Sequence, residues 1–334
     1  MRRLFVNISL AILLLAVLPG CRRRPLEDPD YRTLVKVKVD ISGISNVTCD
    51  IYNDKIPVPK IGPEAMHLMF FGEDASSTAA EAFITDVATG ADGSRTISGE
   101  LVVAPGTYRL LAYDFGTEVT LVRNYNIWDE AEAYTESAPK GIQNRFRSRS
   151  GEPFNILEEP DHLVVAASER EVIPYHEGIY TIYAQARSVV ESWYLQIKVD
   201  GLEYVSSAQA VLSGMVGSNL IATNTRVTEP EAAIWFNLQK SDDKGVPVIC
   251  TVFGTFGRID RSTNNLEVTF NIQTTDGKTV VRTFDISGLF ETENAIRHHW
   301  LLLDETIKID PPPTGGGFDP KVDDWDEEHH DVII

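Results

Sequence analysis

Along residues 33–41 every second position is a branched aliphatic. Val35, Val37, Val39 and Ile41 fall on one side, and Lys36, Lys38 and Asp40 on the other. Side chains of an extended chain alternate between two faces, so this spacing predicts a strand with one buried and one wet face. A 3.6-residue helical period would scatter the same residues around a cylinder. The theme recurs. Met66–Phe71 is a short apolar run suited to a central strand, and residues 82–87 and 96–103 are weaker strands. Ala104-Pro105-Gly106 is a turn signal, because Pro presets φ and Gly tolerates positive φ. It leads into a strand at 108–113, and 118–122 returns after Phe115-Gly116-Thr117. Further on, Leu266, Val268, Phe270 and Ile272 alternate with Glu267, Thr269 and Asn271. Asp276-Gly277 then makes a favoured hairpin turn, and 279–286 pairs back. Short strands joined by Gly and Pro turns predict an all-β chain of antiparallel sandwiches.

The chain has 334 residues, enough for two ordinary domains. Residues 124–161 interrupt the strand pattern with Glu130, Glu132, Glu136 and the basic Arg145, Arg147 and Arg149. A helical turn is expected at 128–133 within this long excursion. A strand at 162–168 closes the first unit, and Pro174 and Gly178 mark a boundary. The second unit restarts with strands at 181–189, 193–199, 204–214, 232–238 and 247–256. After the hairpin come a short helix at 290–298 and a strand at 300–309. The expected organisation is therefore a sandwich over 32–172, a second over 173–310, and a Pro/Gly linker with an acidic tail over 311–334.

The amino-terminal segment has a different logic. Arg2 and Arg3 precede an apolar stretch from Phe5 to Leu18 that ends at Pro19 and Gly20. About 20 apolar residues are needed to cross a bilayer, so this shorter run reads as a secretory signal over residues 1–20. Leu18-Pro19-Gly20-Cys21 resembles the bacterial lipobox. The resemblance implies cleavage between Gly20 and Cys21 and acylation of the Cys21 sulfur, whose thiolate is the nucleophile. Several acyl chains hold a protein firmly on a membrane, at about 0.8 kcal/mol per buried CH₂. Residues 21–31, with Pro25 and Pro29, then read as an extended tether. Arg22, Arg23 and Arg24 stand either beside the lipid headgroups or at the start of a solvated linker.

Charge narrows the partners. The net charge is −19, and losing Arg2 and Arg3 with the signal takes it to −21. Nucleic-acid phosphates would repel such a surface. No GxSxG, HExxH, Walker or GxGxxG element occurs, so an enzyme is not expected, and neither is a cofactor. His298-His299 and His329-His330 are adjacent pairs, which on a strand point to opposite faces, so no metal site is expected. Cys49 and Cys250 could pair in an oxidising compartment, or each could be a small buried side chain. The tail carries Asp323, Asp324, Asp326, Glu327, Glu328 and the apolar Val332, Ile333 and Ile334. It reads either as a solvated tail or as a strand that pairs with an exposed sheet edge, anchored by Trp325 and the final triplet. For ligand binding, Tyr125, Trp128 and Tyr134 in the long excursion are candidates to stack on a glycan, or else to anchor that loop.

The lipobox, the stretch LVVAPGTYRLLAYDFGTE at 101–118 and GFDPKVDDW at 317–325 resemble the fimbrial anchor lipoproteins of gut and oral Gram-negative anaerobes. These belong to the fimbrillin superfamily. The resemblance implies two transthyretin-like sandwich domains on the cell outer membrane. It also implies a fimbrial subunit as partner, gripped by strand complementation.

Overall fold

A computed structural model describes residues 31–44, 51–56, 62–146, 155–259 and 266–312. Gly20, Cys21, Cys49, Arg147, Arg149 and the tail from 313 lie outside them. In chain order the strands are β1 (Thr33–Asp40), β2 (Met66–Phe71), β3 (Thr78–Ile84), β4 (Asp86–Thr89), β5 (Arg95–Val103) and β6 (Gly106–Asp114). There follow β7 (Leu121–Arg123), β8 (Glu132–Tyr134), helix α1 (Lys140–Arg145), β9 (Ile156–Glu158), β10 (Val164–Ile173) and β11 (Ile179–Ser188). The second half holds β12 (Glu191–Asp200), β13 (Val205–Met215), β14 (Ser218–Leu220), β15 (Thr225–Val227), β16 (Ala232–Asp243) and β17 (Val246–Thr255). It ends with β18 (Glu267–Thr274), β19 (Thr279–Asp285), helix α2 (Glu293–His298) and β20 (Trp300–Lys308). The all-β expectation holds.

The first sandwich has the strand order β3-β2-β6-β10-β11-β1-β5-β4. Residues 78–89 run almost straight through from β3 to β4, and this crossing folds the two halves face to face. At the crossing a Cβ on Gly99 would lie 2.3 Å from Ile84 Cγ2, so β5 carries a glycine where the corner side chain enters. Val35, Val37 and Val39 from one layer meet Leu68, Phe70, Leu110 and Ala112 from the other, all fully buried. The second sandwich runs β19-β18-β13-β16-β17-β12-β20. Here β16 makes the corner: residues 232–238 pair with β13 and 239–243 with β17. Phe236 and Phe253 stack in its core at 4.4 Å, and Phe290, from the turn before α2, packs on Trp193.

Three findings depart from the sequence reading. The expected boundary at 172/173 falls inside a hairpin: residues 174–178 turn β10 into β11, which pairs with β10 and, in parallel, with β1. The chain passes between the two large sheets at Val189 and Val190 instead. The sandwiches are not purely antiparallel, since β1–β11, β12–β20 and β9–β16 run parallel. The described parts of the excursion at 124–161 are not a free loop. It contributes β8 to a small sheet, β15-β14-β8-β7, and β9 to the edge of β16. That small sheet covers the outer face of β2, β6 and β10, burying Met69, Phe71, Leu111 and Val165 against Trp128, Ala133, Val216 and Phe256. Double-sided burial explains why β2 is apolar at five of six positions rather than alternating.

Candidate functional site

The first strand, β1, is buried along the whole of one face and half-buried along the other. It lies between β11 and β5, paired over seven positions on one side and eight on the other. Val35, Val37 and Val39 have no exposed surface, and Ile41 has 1%. Burying each such side chain contributes about 1.5–3 kcal/mol. Both ends are pinned. Thr33 Oγ1 donates to Pro174 O at 2.7 Å, and His176 N–H donates back to Thr33 Oγ1 at 3.1 Å. At the far end Ser42 N–H and Oγ–H both donate to Asp40 Oδ1, at 2.9 and 2.6 Å, and Arg95 N–H donates to Ser42 Oγ. This strand thus fills the groove between β5 and β11.

Among the described strands, the free sheet edges of the second sandwich are β19 and β20. They differ in character. β19 turns Val280 and Phe284 toward the core and leaves its other five positions exposed, Arg282 and Thr283 among them. β20 buries Leu301 and Leu303 inward, while Trp300 and Leu302 lie on the outer face under Tyr52 and Ile56. Its register against β12 jumps between Leu303 and Thr306, which leaves Asp304 and Glu305 bulged and exposed. Charge and a bulge at an edge restrict pairing to a partner that fits.

Side-chain contacts join the β8–β14 and β9–β16 pairings in tying the two halves, three among them at Tyr52, Arg187 and Glu159. Tyr52 OH donates to Asp243 Oδ2 at 2.7 Å, and its ring packs on Tyr194 at 5.0 Å and on Trp300 at 4.9 Å. Burial and the Asp243 carboxylate push the Tyr52 hydroxyl up to about 12. Cys250 is buried beneath, its thiol pushed up by burial. Secondly, Arg187 donates to Ile221 O at 2.6 Å. Thirdly, Glu159 Oε1 accepts from Gly254 N–H at 2.9 Å, where a Cβ on Gly254 would meet Pro160 O at 2.3 Å. Burial pushes Glu159 up to about 7, partly opposed by that N–H. Glu159 borders a cavity of about 460 Å³ with Asp114, Asp161, His162 and Ser192. Asp161 accepts from Glu118 N–H and Thr120 N–H, both at 2.6 Å, and burial raises Asp114 and lowers His162. These groups are committed to holding the junction. Among the described residues no group of three His, Cys, Asp or Glu is arranged to hold a metal ion.

The three glycan candidates separate. Trp128 is 1% exposed and sits in the junction core, with its ring edge on Phe71. Tyr134 lies under the Arg123 guanidinium at 4.7 Å. Tyr125 is exposed and joins His67, Phe83 and Phe115 in an aromatic cluster that the sequence reading missed. Phe83 and Phe115 are 58% and 60% exposed, while His67 is buried between Tyr113 OH and Glu81 Oε2, both at 3.1 Å. Of the histidine pairs, His298 stacks on Trp300 and His299 on Trp193, both at 4.3 Å.

Comparison with known proteins fits this architecture. A candidate fimbrium anchoring subunit of Bacteroides ovatus, Fim4B, is 23% identical over 94% of this chain and 93% of its own length. The crystal structure of a candidate adhesin from the same species superposes with a TM-score of 0.60 at 20% identity, over 89% of this chain and 99% of that one. The fimbrial anchor protein Mfa2 from Porphyromonas gingivalis gives a TM-score of 0.44 at 12% identity, over 78% and 85%. The resemblance to fimbrial anchor proteins, drawn from the sequence, is supported. A family described as a domain of unknown function, DUF5119, matches residues 20–237, about two thirds of the chain, and this protein belongs to it.

Proposed function

We propose that this chain is a lipid-anchored accessory subunit of a fimbria, held on the outer membrane through acylated Cys21 and gripping a fimbrial subunit by strand complementation. The observation that carries the reading is the placement of β1. The chain enters its own groove straight from the tether, and three fully buried valines hold it there. A subunit whose groove is filled by its own covalently attached strand offers no vacancy to an incoming strand. Such a subunit ends a polymer that grows by filling grooves, and the lipid fixes that end to the membrane. Contact with the fimbrial subunit then falls to a sheet edge or to the tail. The β20 edge, which leads directly into residues 311–334, is the placement we favour, because main-chain pairing there continues an existing sheet. The length match to Fim4B supports the same reading.

The test is co-purification from detergent-solubilised envelopes. The wild type should bring a fimbrial subunit with it, and a chain ending at Asp310 should not. Cys21→Ser should leave the membrane fraction and lose fatty-acid labelling. A fimbrial subunit retained in full by the truncated chain, which keeps β20, would move the contact away from the tail. A second reading, glycan binding at the surface, is favoured by the exposed Phe83–Phe115–Tyr125 rings. Saturable sugar binding abolished by Phe115→Ala would select it.

A further inference from the structure

The register of the first sandwich brings together exposed apolar, aromatic and basic side chains on one face. On the outward face of β11, β1 and β5 the cross-strand rows are Ile179–Leu34–Val102, then Thr181–Lys36–Glu100, then Tyr183–Lys38–Ser98. Ile179, Val102 and Tyr183 are 49%, 51% and 75% exposed. Next to the first row, Tyr31 stacks on Tyr175 at 4.8 Å with the rings 4° from parallel, and Tyr175 is itself exposed. Lys38 Nζ lies 5.8 Å from the centre of the Tyr183 ring. An apolar row with tyrosines and lysines around it has the make-up of surfaces that settle at a membrane interface, where aromatic rings and long basic side chains meet the headgroups.

We propose that this face, at the end of the sandwich where β1 begins, rests on the phospholipid headgroups. The inference rests on the lipid-anchor reading of Cys21. What selects a bilayer as the occupant is where the chain enters. Cys21 is ten residues before Tyr31. Ten residues reach at most about 35 Å when fully extended and average roughly 17 Å if flexible. An acylated Cys21 therefore keeps the Ile179–Leu34–Val102 row within one tether length of the lipid, and Lys36 and Lys38 point the same way. Glu100 on this face is held by Lys36 Nζ at 3.4 Å. Lys36 and Lys38 balance Glu100 and Asp40, so this face does not carry the net charge of −19 of the whole chain to an anionic leaflet.

The test uses the full mature protein, purified with its own lipid and placed in nanodiscs of phosphatidylethanolamine with a minority of phosphatidylglycerol. A coumarin amino acid is encoded at position 102, 179 or, as a remote control on β19, 281. Quenching by lipids brominated in the upper acyl chain is then read, since interfacial apolar groups sit about 5–10 Å into that boundary. Quenching at 102 and 179 should exceed that at 281 several-fold, and Leu34→Glu should reduce it to the control level. Equal quenching at all three sites in acylated protein overturns the proposal. So does a coumarin shielded without bromolipid quenching, which assigns the face to a second copy of the chain. The mass of the purified protein separates the two ideas. A chain without acyl mass on Cys21 sinks the anchor reading itself, whereas an acylated chain with unquenched labels sinks only the membrane face.

Discussion

Glu159→Gln isolates one group at the junction and has a calculable signature. Burial lifts the Glu159 carboxyl to about 7 from an ordinary value of 4.5. The folded chain therefore holds this proton more tightly than the unfolded chain does. By linkage, the group's stabilising contribution is fully present below pH 4.5 and is lost as pH rises through 7. One pKa unit corresponds to about 1.4 kcal/mol, so the shift from 4.5 to about 7 sets an upper limit of about 3.5 kcal/mol. Because Glu159 opens on the cavity and retains some exposed surface, we take about 1–2 kcal/mol. Glutamine keeps an oxygen for the Gly254 N–H and carries no charge at any pH. His162 is lowered by burial, so its effect has the opposite sign and is lost as pH falls, but it is common to both proteins. The assay is urea unfolding of wild type and variant in steps from pH 4 to 8.5. The two should agree near pH 4.5, and the variant should be the more stable at pH 8 by that amount. Curves that stay parallel across the range would refute the argument that the carboxyl is buried at a tight junction.

Further outcomes follow from the packing. Val37→Ala should cost about 2–3 kcal/mol in chemical unfolding, from lost transfer energy and the cavity left behind. Lys36→Ala, one residue away on the wet face, should change stability by no more than about 0.5 kcal/mol. Gly99→Ala should destabilise by about 1–3 kcal/mol through overpacking against Ile84, and Ile84→Val in the same chain, which keeps the clashing Cγ2 methyl, should not recover the loss. Trp128→Ala should cost about 3–5 kcal/mol, since its ring fills the junction core. It should leave any glycan binding by the folded protein unchanged.

Much of this fold was legible where local pattern and tertiary burial agree. The β1 alternation is reproduced residue by residue in burial, because one face meets the core and the other meets water. The hairpin at Asp276-Gly277 forms as its turn chemistry requires, with Gly277 at φ 83°. Pro174 and Gly178 signal a turn, but whether the strands on either side pair is decided by partners far along the chain, such as β1 for β11. β8, β9, β14 and β15 have three residues each, too few for a period, and β8 finds β14 across some 85 positions. Trp128 looked available because it lies in a polar stretch. Only the packing of β8 and β14 over the β2–β6–β10 face buries it. The exposed Phe83–Phe115–Tyr125 cluster was hidden for the same reason, since its rings come from three separate segments. The one signal in reach was Phe115, a large apolar residue in a turn that needs none.

The account turns on a mature chain that keeps both its lipid and its first strand, and one intact-mass measurement of the protein taken from the outer membrane tests both. The predicted species begins at Cys21, carries the mass of its acyl groups and includes residues 33–41. A species lacking acyl mass, or one whose first residue lies beyond Ile41, would contradict it.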